Sequence, residues 1–389
     1  MSTSPTSARR LEAVQSSVFA LLARRLEGYT GKRYPFHLGD NVVPPPEAAR
    51  WENVVSDQLG SPYRYGHPHG HVDLREAIAE KVRTFNRQEG VGPEHVQVSV
   101  GATGGLTVAW SALFDPGDEV LLLAPYWPLI RGISHCTGVV PVDVPFYQKL
   151  LDEPDSDPGE LIRPYLTKRT RAIYLITPNN PTGQVLTREQ LEAIAAIAHE
   201  HNLWVISDEA YEAYVYEGVH QSIATFEGMS ERTVSVYTFS KTYAMAGVRV
   251  GYLVGPEHAI DPIRRASTHM IYNTAQACQT MALQALQTGR DHVEQTRQRY
   301  KANALLVAEG LEARFVPAQG GAYVFVDLRA YGEDAMPVLE RAADRGVTLA
   351  PGVIFGQGFE GYGRFCYTAV DEDTLREGID IFNDVLLRG

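Results

Sequence analysis

The stretch that decides the fold reads Thr238-Phe239-Ser240-Lys241-Thr242-Tyr243-Ala244-Met245-Ala246-Gly247-Val248-Arg249-Val250-Gly251. It follows a β-like run, Thr233 to Tyr237, and Lys241 is the one charged residue between Arg232 and Arg249. An amine in apolar surroundings loses proton affinity, so Lys241 is a candidate for a neutral lysine that forms a Schiff base. The alternative is a structural lysine whose stem packs and whose amine reaches solvent.

Length and composition indicate a globular protein with more than one domain. The chain has 389 residues, 44% of them hydrophobic and 21% charged, and a formal net charge of −12. That charge argues against a nucleic acid or an anionic membrane as partner, and no run of about 18 apolar residues predicts a membrane span. The polar start, Met1 to Ser7, lacks the apolar core of a signal peptide.

The three cysteines, Cys136, Cys278 and Cys366, lie far apart in the sequence. They match no metal-binding spacing, so we expect no metal site. Their odd number and wide separation also argue against a disulfide framework, which predicts a reducing, cytoplasmic location.

Apolar strands alternate with helices through the middle of the chain, which predicts an α/β fold. Strands are predicted at Val96–Val100, Glu119–Leu123, Arg171–Ile176, Leu203–Ser207, Thr233–Tyr237 and Val250–Val254. Helical spacing also predicts helices over Arg9–Glu27 and from Pro46 to about Leu59. We expect a three-layer α/β/α large domain (residues 46–288) with a mostly parallel sheet. The N-terminal arm (1–45) and the C-terminal part (289–389) should form a smaller α+β domain.

Several candidate residues directly follow predicted strands, so they should meet at the carboxyl edge of the sheet. In Ser99-Val100-Gly101-Ala102-Thr103-Gly104-Gly105, small residues at a helix start expose backbone N–H groups to which a phosphate can bind. A tight turn with glycines for packing is the alternative. Trp127 can stack on a flat ring or pack in the core.

Two further segments place polar side chains at the same edge. Asn180 lies in the rigid loop Pro178-Asn179-Asn180-Pro181-Thr182-Gly183, which is either functional or an ordinary turn. Asp208 ends a buried strand and needs a cation or several donors. The pyridinium nitrogen of pyridoxal phosphate is such a cation, and a local amide or arginine is the structural alternative.

Together these segments resemble the pyridoxal-phosphate-dependent aminotransferases of fold type I, class I/II, whose fold is that of aspartate aminotransferase. The resemblance runs from Arg10 to the C-terminus. It rests on N-P-T-G at Asn180–Gly183, D-E-A-Y at Asp208–Tyr211 and S-K-x-x-x-x-x-x-x-R-x-G at Ser240–Gly251. It implies an enzyme that binds pyridoxal 5'-phosphate and transfers an amino group from an amino acid to a 2-oxo acid.

The resemblance also implies a role for each candidate residue. Catalytic roles fall on Lys241, Asp208 and Tyr211. Cofactor binding falls on Ala102, Thr103, Trp127, Asn180, Asp208, Tyr211, Thr238, Ser240, Lys241 and Arg249. Tyr65 is expected to reach the cofactor phosphate of the neighbouring subunit in a homodimer. Substrate binding falls on Gly39, Asn180 and Arg364.

The sequence departs from the family pattern at two places. The N-terminal stretch commonly reads Gly-Glu-Pro-Asp in this subgroup, whereas here it reads Gly39-Asp40-Asn41-Val42. Thr103 stands where the bacterial aspartate-specific branch has a lysine for the distal carboxylate. We therefore expect a neutral donor, aromatic or large aliphatic, because a second carboxylate buried without a cation is costly. Arg33 or Arg131 would supply that cation if the fold brought either inside.

Two alternatives stay open at this point, and a third is disfavoured. The enzyme could be an aspartate aminotransferase, or a pyridoxal-phosphate lyase that cuts C–S bonds on the same fold, because fold and cofactor residues do not separate these activities. A cofactor-bound regulator without turnover would carry an attached DNA-binding segment, and residues 1–30 are too short and not basic enough for one.

We expect borohydride reduction of the purified, yellow protein to fix the cofactor on the peptide that carries Lys241, because only a Schiff base is reduced to a stable bond. Lys241→Ala should bind cofactor non-covalently at most and lose transamination. Peptide mapping by mass spectrometry checks this prediction, and a label on any other lysine peptide would contradict it.

Overall fold

A computed structural model of the chain describes residues 7–14, 22–54 and 63–388. Its larger sheet has seven strands: β1 (Val96–Ser99), β2 (Glu119–Ala124), β3 (Val140–Pro145), β4 (Thr170–Ile176), β5 (Trp204–Asp208), β6 (Thr233–Thr238) and β7 (Gly251–Val254). Their order across the sheet is β1-β7-β6-β5-β4-β2-β3. The central pairs are parallel, while β7 runs antiparallel to both β1 and β6. The predicted α/β architecture with a mostly parallel sheet is therefore confirmed.

Twelve α-helices are found among the described residues. They are α1 (Val72–Thr84), α2 (Gly101–Leu113), α3 (Leu129–Thr137), α4 (Tyr147–Asp152), α5 (Pro158–Ile162), α6 (Arg188–Glu200), α7 (Phe239–Thr242), α8 (Glu257–Met270), α9 (Gln276–Thr288), α10 (Arg290–Gly310), α11 (Met336–Asp344) and α12 (Glu372–Leu387). Thr187 caps α6 through its hydroxyl, and the Gln190 side chain completes the capping box.

Both faces of the larger sheet are covered, which is why its strands are continuously apolar. Successive residues of a strand point to opposite faces. On β2, Val120 and Leu122 pack with residues of α2, α3 and α8. Leu121 and Leu123 pack on the other side, with residues of α4, α5 and α6.

A second, smaller sheet follows in the C-terminal part, formed by β8 (Tyr323–Asp327), β9 (Ala350–Pro351) and β10 (Tyr362–Cys366). Its order is β8-β10-β9, with antiparallel pairing throughout. One core joins β8 and β10 to α10, α11 and α12 and includes Tyr34 and Phe36 from the N-terminal arm. The arm and the C-terminal part thus share one hydrophobic cluster.

The helix predicted over Arg9–Glu27 is wrong for the residues that the structure describes. The backbone forms 3₁₀ turns at Arg9–Ala13 and Ala23–Leu26 and is extended at Val14. Residues 15–21 of the predicted helix lie outside the described residues. Tertiary contacts override the helical spacing here, since the Arg10 side chain bonds the carbonyl of Cys136 at the end of α3.

The helix predicted from Pro46 to about Leu59 is also wrong in its described part. Two 3₁₀ turns, Glu47–Ala49 and Trp51–Asn53, are separated by extended backbone at Arg50. Residues 55–62 lie outside the description. The Arg50 side chain bonds the carbonyl of Pro45, which holds the segment in this compact, non-α path.

The strand β3 was not predicted from the sequence. It lies at the edge of the sheet, contains two prolines and Asp143, and is only partly buried. Proline is tolerated at an edge, where no partner needs its missing N–H, but it weakens the sequence signal of a strand.

The carboxyl ends of β4, β5 and β6 lie side by side at one edge of the larger sheet. The loops and helix starts that follow them supply most of the residues described next. Among the described residues, no helix combines the length and the apolar character needed to cross a membrane.

Candidate active site

A cavity of about 260 Å³ lies at this edge, against the smaller sheet. Residues of both sheets and of the N-terminal arm line it. They are Gly39, Ala102, Thr103, Trp127, Ile176, Asn180, Asp208, Ala210, Tyr211, Thr238, Ser240, Lys241, Ala246, Arg249, Tyr323 and Arg364.

One end of the cavity is suited to an anion. Helix α2 begins here at Gly101, so its first N–H groups and the positive end of its dipole face the cavity. The Arg249 side chain lies beside them and bonds Ser240 Oγ at 3.4 Å and the carbonyl of Ala246 at 2.9 Å. Gly101 has a φ of +65°, and a Cβ there would lie 2.4 Å from Arg249 Nη2. Only glycine lets the arginine approach the helix start this closely.

Asp208 lies buried at the end of β5, 5% exposed. Tyr174 OH donates to its Oδ2 at 2.8 Å, and the backbone N–H of Ala210 donates to its Oδ1 at 3.2 Å. Burial raises the pKa of Asp208 to about 6, although both donors oppose that rise. Among the described residues, its hydrogen-bond partners are these two neutral donors, and no cation pairs with the carboxylate.

Lys241 lies in the short helix α7, directly after β6, and its amine donates to the carbonyl of Gly39 from the N-terminal arm. Burial lowers the pKa of the amine, and Arg364 and Arg249 add to this effect. Cys366 and Asp40 oppose it. Lys241 thus has the lowered proton affinity that the sequence led us to expect of a nucleophilic lysine.

Arg364, in the middle of β10, is only 2% exposed. Its Nη1 donates to Asn180 Oδ1 at 3.0 Å, and its Nη2 donates to the carbonyl of His37 at 2.7 Å. Because a guanidinium only donates, the amide oxygen of Asn180 faces Arg364 and its NH₂ group is left for another acceptor. Within the described residues, Arg364 Nε is buried without a hydrogen-bond partner.

Two tyrosines meet between these groups. Tyr211 OH and Tyr323 OH are 2.6 Å apart. The ring of Tyr323 also lies under the guanidinium of Arg364, with Cζ 4.3 Å from the ring centroid. A Cβ on Gly39 would lie 2.5 Å from Tyr323 OH, so the arm can pass this point only with glycine.

A buried polar cluster lies behind Asp208. Burial alone would raise the pKa of Glu209, but its hydrogen bonds, first among them that with His220, outweigh burial and lower it. Its carboxylate has five hydrogen-bond partners: Ser207 Oγ, His220 Nε2, Ser222 Oγ, Ser235 Oγ and Tyr237 OH. The cluster fixes the backbone on the C-terminal side of Asp208.

All but one of the residues singled out from the sequence line this cavity. The exception is Tyr65, whose side chain is 86% exposed and packs edge-on against Tyr272 at 5.1 Å between ring centroids. Sequence reasoning missed Tyr174 and Tyr323, which contact Asp208 and Tyr211. A tyrosine in a strand is ordinarily core, and only the register of β4 beside β5, which puts Ile176 next to Asp208, places Tyr174 on the same face.

Comparison with known proteins identifies the family. Residues 35–382 match the family described as aminotransferase class I and II. The chain is 36% identical over 333 residues to the aspartate/prephenate aminotransferase of Thermus thermophilus, covering 84% of each protein. It is 35% identical over 324 residues to aromatic-amino-acid aminotransferase 2 of Thermococcus litoralis, covering 82% of each.

The structural comparison agrees. A single mutant of Thermus thermophilus aspartate aminotransferase has a TM-score of 0.89 at 32% identity, with 98% of this chain and 100% of the other covered. The chain therefore belongs to the class I and II aminotransferases. It is a pyridoxal-phosphate-dependent transferase that acts on an amino acid and a 2-oxo acid.

We expect Tyr174→Phe to raise the pKa of Asp208, because it removes a hydrogen bond to the charged form. Such a bond contributes about 1.5–3 kcal/mol, which corresponds to roughly one to two pH units. In the role that the family resemblance implies, ionised Asp208 holds the cationic ring, so the affinity of the apoenzyme for pyridoxamine phosphate should fall as the pH drops through the pKa of this carboxyl, about 6. In the variant, the midpoint of that fall should move to higher pH.

Fluorescence titration of the apoenzyme between about pH 5 and 8 measures this midpoint. Tyr147→Phe is the matched control, because that buried hydroxyl bonds the backbone of Ile176 and not Asp208. Equal midpoints in wild type and Tyr174→Phe would show that the hydroxyl does not act on the carboxylate.

Proposed function

We propose that the cavity holds pyridoxal 5'-phosphate with Lys241 as its covalent anchor. The observation that carries this proposal is a partly buried lysine of lowered proton affinity in the same cavity as a buried carboxylate that has no cationic partner among the described residues. The cofactor phosphate fits the anion-binding end of the cavity. Donors and positive charge are supplied there by the start of α2, Thr238, Ser240 and Arg249. Trp127 supplies an aromatic surface for the ring, and Asn180 and Tyr211 supply donors for its phenolic oxygen.

The remaining residues orient the substrate and move its proton. Arg364 binds the α-carboxylate beside Gly39. It donates from Nε, which has no partner among the described residues, and from the unused N–H bonds of its Nη atoms. This grip holds the Cα–H bond near the amine of Lys241, which takes the proton from Cα. Asp208 keeps the ring nitrogen protonated. When bound, the cofactor serves as the electron sink for the charge left on Cα.

We propose a neutral amino donor, aromatic or large aliphatic. Three cations line the cavity, Lys241, Arg249 and Arg364, and each has a task towards the cofactor or the α-carboxylate. Arg131 is paired with Asp143 at 2.7 Å, and Arg33 bonds the carbonyls of Leu26 and Tyr29; neither lines the cavity. A distal carboxylate would thus lack a further cationic partner among the described side chains that line the cavity.

The relatives fit either substrate class, since one is named for aspartate and prephenate and another for aromatic amino acids. An aspartate aminotransferase is therefore the second candidate. The absence of a lysine at Thr103 favours the neutral donor.

We propose a C₂ homodimer as the active unit. Tyr65 does not line the cavity of its own chain but packs against Tyr272, and exposed apolar side chains lie on the neighbouring segments: Val72, Met270 and Tyr272. Arg64 and His71 both contact Gln276 at the start of α9, which joins these segments into one surface. Ile271, between Met270 and Tyr272, would lie 3.9 Å from a Cβ on Gly104 in the first turn of α2. The surface therefore adjoins the anion-binding end of the cavity.

We also propose the domain division 1–45, 46–288 and 289–389, with the arm and the C-terminal part forming the small domain around their shared core. A cytoplasmic location agrees with the three free cysteines.

We expect kcat/KM to be higher for phenylalanine or leucine than for aspartate, because the distal cavity offers aspartate no free cation. Thr103→Lys should raise kcat/KM for aspartate relative to phenylalanine. Thr103→Met, of similar reach but uncharged, should not. Steady-state kinetics with each donor measure these ratios. A wild-type ratio well below one would reject the neutral donor.

We expect Tyr65 to act in the site of the partner chain. Tyr65→Ala and Lys241→Ala chains should each form weakly active or inactive homodimers. A mixed dimer would hold one doubly defective site and one intact site, so random mixing should restore about a quarter of wild-type activity. If Tyr65 served its own chain, no mixed dimer would have an intact site.

Mixed refolding of the two purified variants, followed by an activity assay, tests this arrangement. Tyr63→Ala is the control for the loop, because Tyr63 is fully exposed and should leave activity near that of wild type. Failure of the mixture to exceed its parents would contradict the shared site.

A further inference from the structure

The two hydroxyls that meet in the cavity, Tyr211 OH and Tyr323 OH, have no other hydrogen-bond partner within the described residues. Both side chains are buried, 4% and 1% exposed. Their rings meet edge-on, with centroids 5.6 Å apart. The pair therefore holds two hydroxyl protons, of which the hydrogen bond between the oxygens uses one.

The second proton needs an acceptor, because buried hydroxyls rarely stay unpaired. Neither phenol ionises near neutral pH: burial raises the pKa of Tyr323 to about 12 and that of Tyr211 well above its usual value. The charged and titratable groups that act on Tyr323 besides Tyr211 are Arg364, Cys366 and Asp40. One proton of the pair is thus available to a bound molecule.

The surroundings of each hydroxyl indicate which proton that is. Tyr323 lies against Arg364, which only donates, and against the α-carbon of Gly39, which offers no acceptor. The acceptor within reach of Tyr323 OH, among the described residues, is the oxygen of Tyr211. The proton of Tyr211 is then the one that points away from the pair.

We propose that Tyr323 is a positioning residue whose hydroxyl donates to Tyr211 and thereby directs the proton of Tyr211 at the phenolic oxygen of the cofactor. This inference rests on the proposed role of Tyr211. A hydroxyl that accepts one hydrogen bond donates the next more strongly, because the bonds of a chain polarise each other. The donor chain also links the cofactor oxygen to the ring that underlies Arg364.

Tyr323→Phe isolates the hydroxyl. The ring keeps its place under Arg364 and beside Tyr211, so the cation–π contact and the packing are retained. The readout is the pH at which the visible absorbance of the bound cofactor changes. A donor aimed at the phenolic oxygen stabilises its anion, so loss of the donor raises that pH.

The experiment titrates the holoenzyme spectrophotometrically as wild type, Tyr211→Phe, Tyr323→Phe and the double variant. We expect Tyr211→Phe to raise the spectral pKa by about one pH unit and Tyr323→Phe by roughly 0.3 of a unit. The double variant should match Tyr211→Phe, because Tyr323 acts through Tyr211. Tyr367→Phe is the matched control: its hydroxyl lies 3.1 Å from that of Tyr216 in a second buried tyrosine pair, outside the cavity lining, and its loss should leave the spectrum unchanged.

The outcomes separate this inference from the proposed function. An unchanged spectral pKa in Tyr323→Phe, with a shift in Tyr211→Phe, would overturn the inference and leave the role of Tyr211 intact. Additive shifts in the double variant would also overturn it, because Tyr323 would then act on the cofactor directly. No shift in Tyr211→Phe would overturn the proposed role of Tyr211 and the inference with it.

Discussion

The carboxylate of Asp208 is buried at the end of β5, and its charged form is stable there only with a cation beside it. Much of the site is arranged around this requirement. Burial of an unpaired ion costs several kcal/mol, and the two donors that Asp208 has are neutral. Its pKa of about 6 expresses this balance, since the charged form is only partly stabilised. In the proposed function, the protonated ring nitrogen of the cofactor supplies the missing charge. Lys241 presents the converse case, because burial favours its neutral, nucleophilic form. The same exclusion of water thus prepares one group to hold a cation and the other to act as an amine.

The sequence was sufficient to predict six of the seven strands of the larger sheet and the line of polar residues at its edge, for one physical reason. Strands covered on both faces are continuously apolar, so a polar residue directly after one of them, such as Asp208 or Asn180, stands out. Since parallel strands end at one edge, residues distant in sequence could be brought together without knowledge of the strand order. The N-terminal arm lacks such a constraint. In its described residues, the arm depends on contacts with α3 and the smaller sheet, which helical spacing does not encode.

The residues that sequence reasoning missed share a different property. Tyr174 and Tyr323 lie on strands, where tyrosine is common and usually packs in the core. Each belongs to the site because its hydroxyl points at a site residue: that of Tyr174 at Asp208 and that of Tyr323 at Tyr211. That direction depends on register: Ile176 pairs with Asp208 across β4 and β5, so Tyr174, two residues earlier, shares its face. Tyr323 pairs with Cys366 at the start of β8, which sets its ring beneath Arg364 on the neighbouring strand. Register follows from tertiary packing and turn geometry, so a single sequence does not reveal it.

Arg364 shows how the two sheets come to serve one reaction. It lies on the smaller sheet, yet its Nη atoms bond Asn180 from the larger sheet and the carbonyl of His37 from the arm. These bonds leave its Nε buried and without a partner in the described residues, and such a group costs about 1–3 kcal/mol. In the proposed function, a substrate carboxylate would pair with Nε and recover that free energy on binding. The neutral contacts of Arg364 also leave its charge uncompensated, so an anion is favoured over a neutral ligand at this place. The protein thus holds this guanidinium firmly enough to fix its position while leaving its charge for an anionic ligand, and this is the physical basis on which we assign the α-carboxylate of the substrate to Arg364.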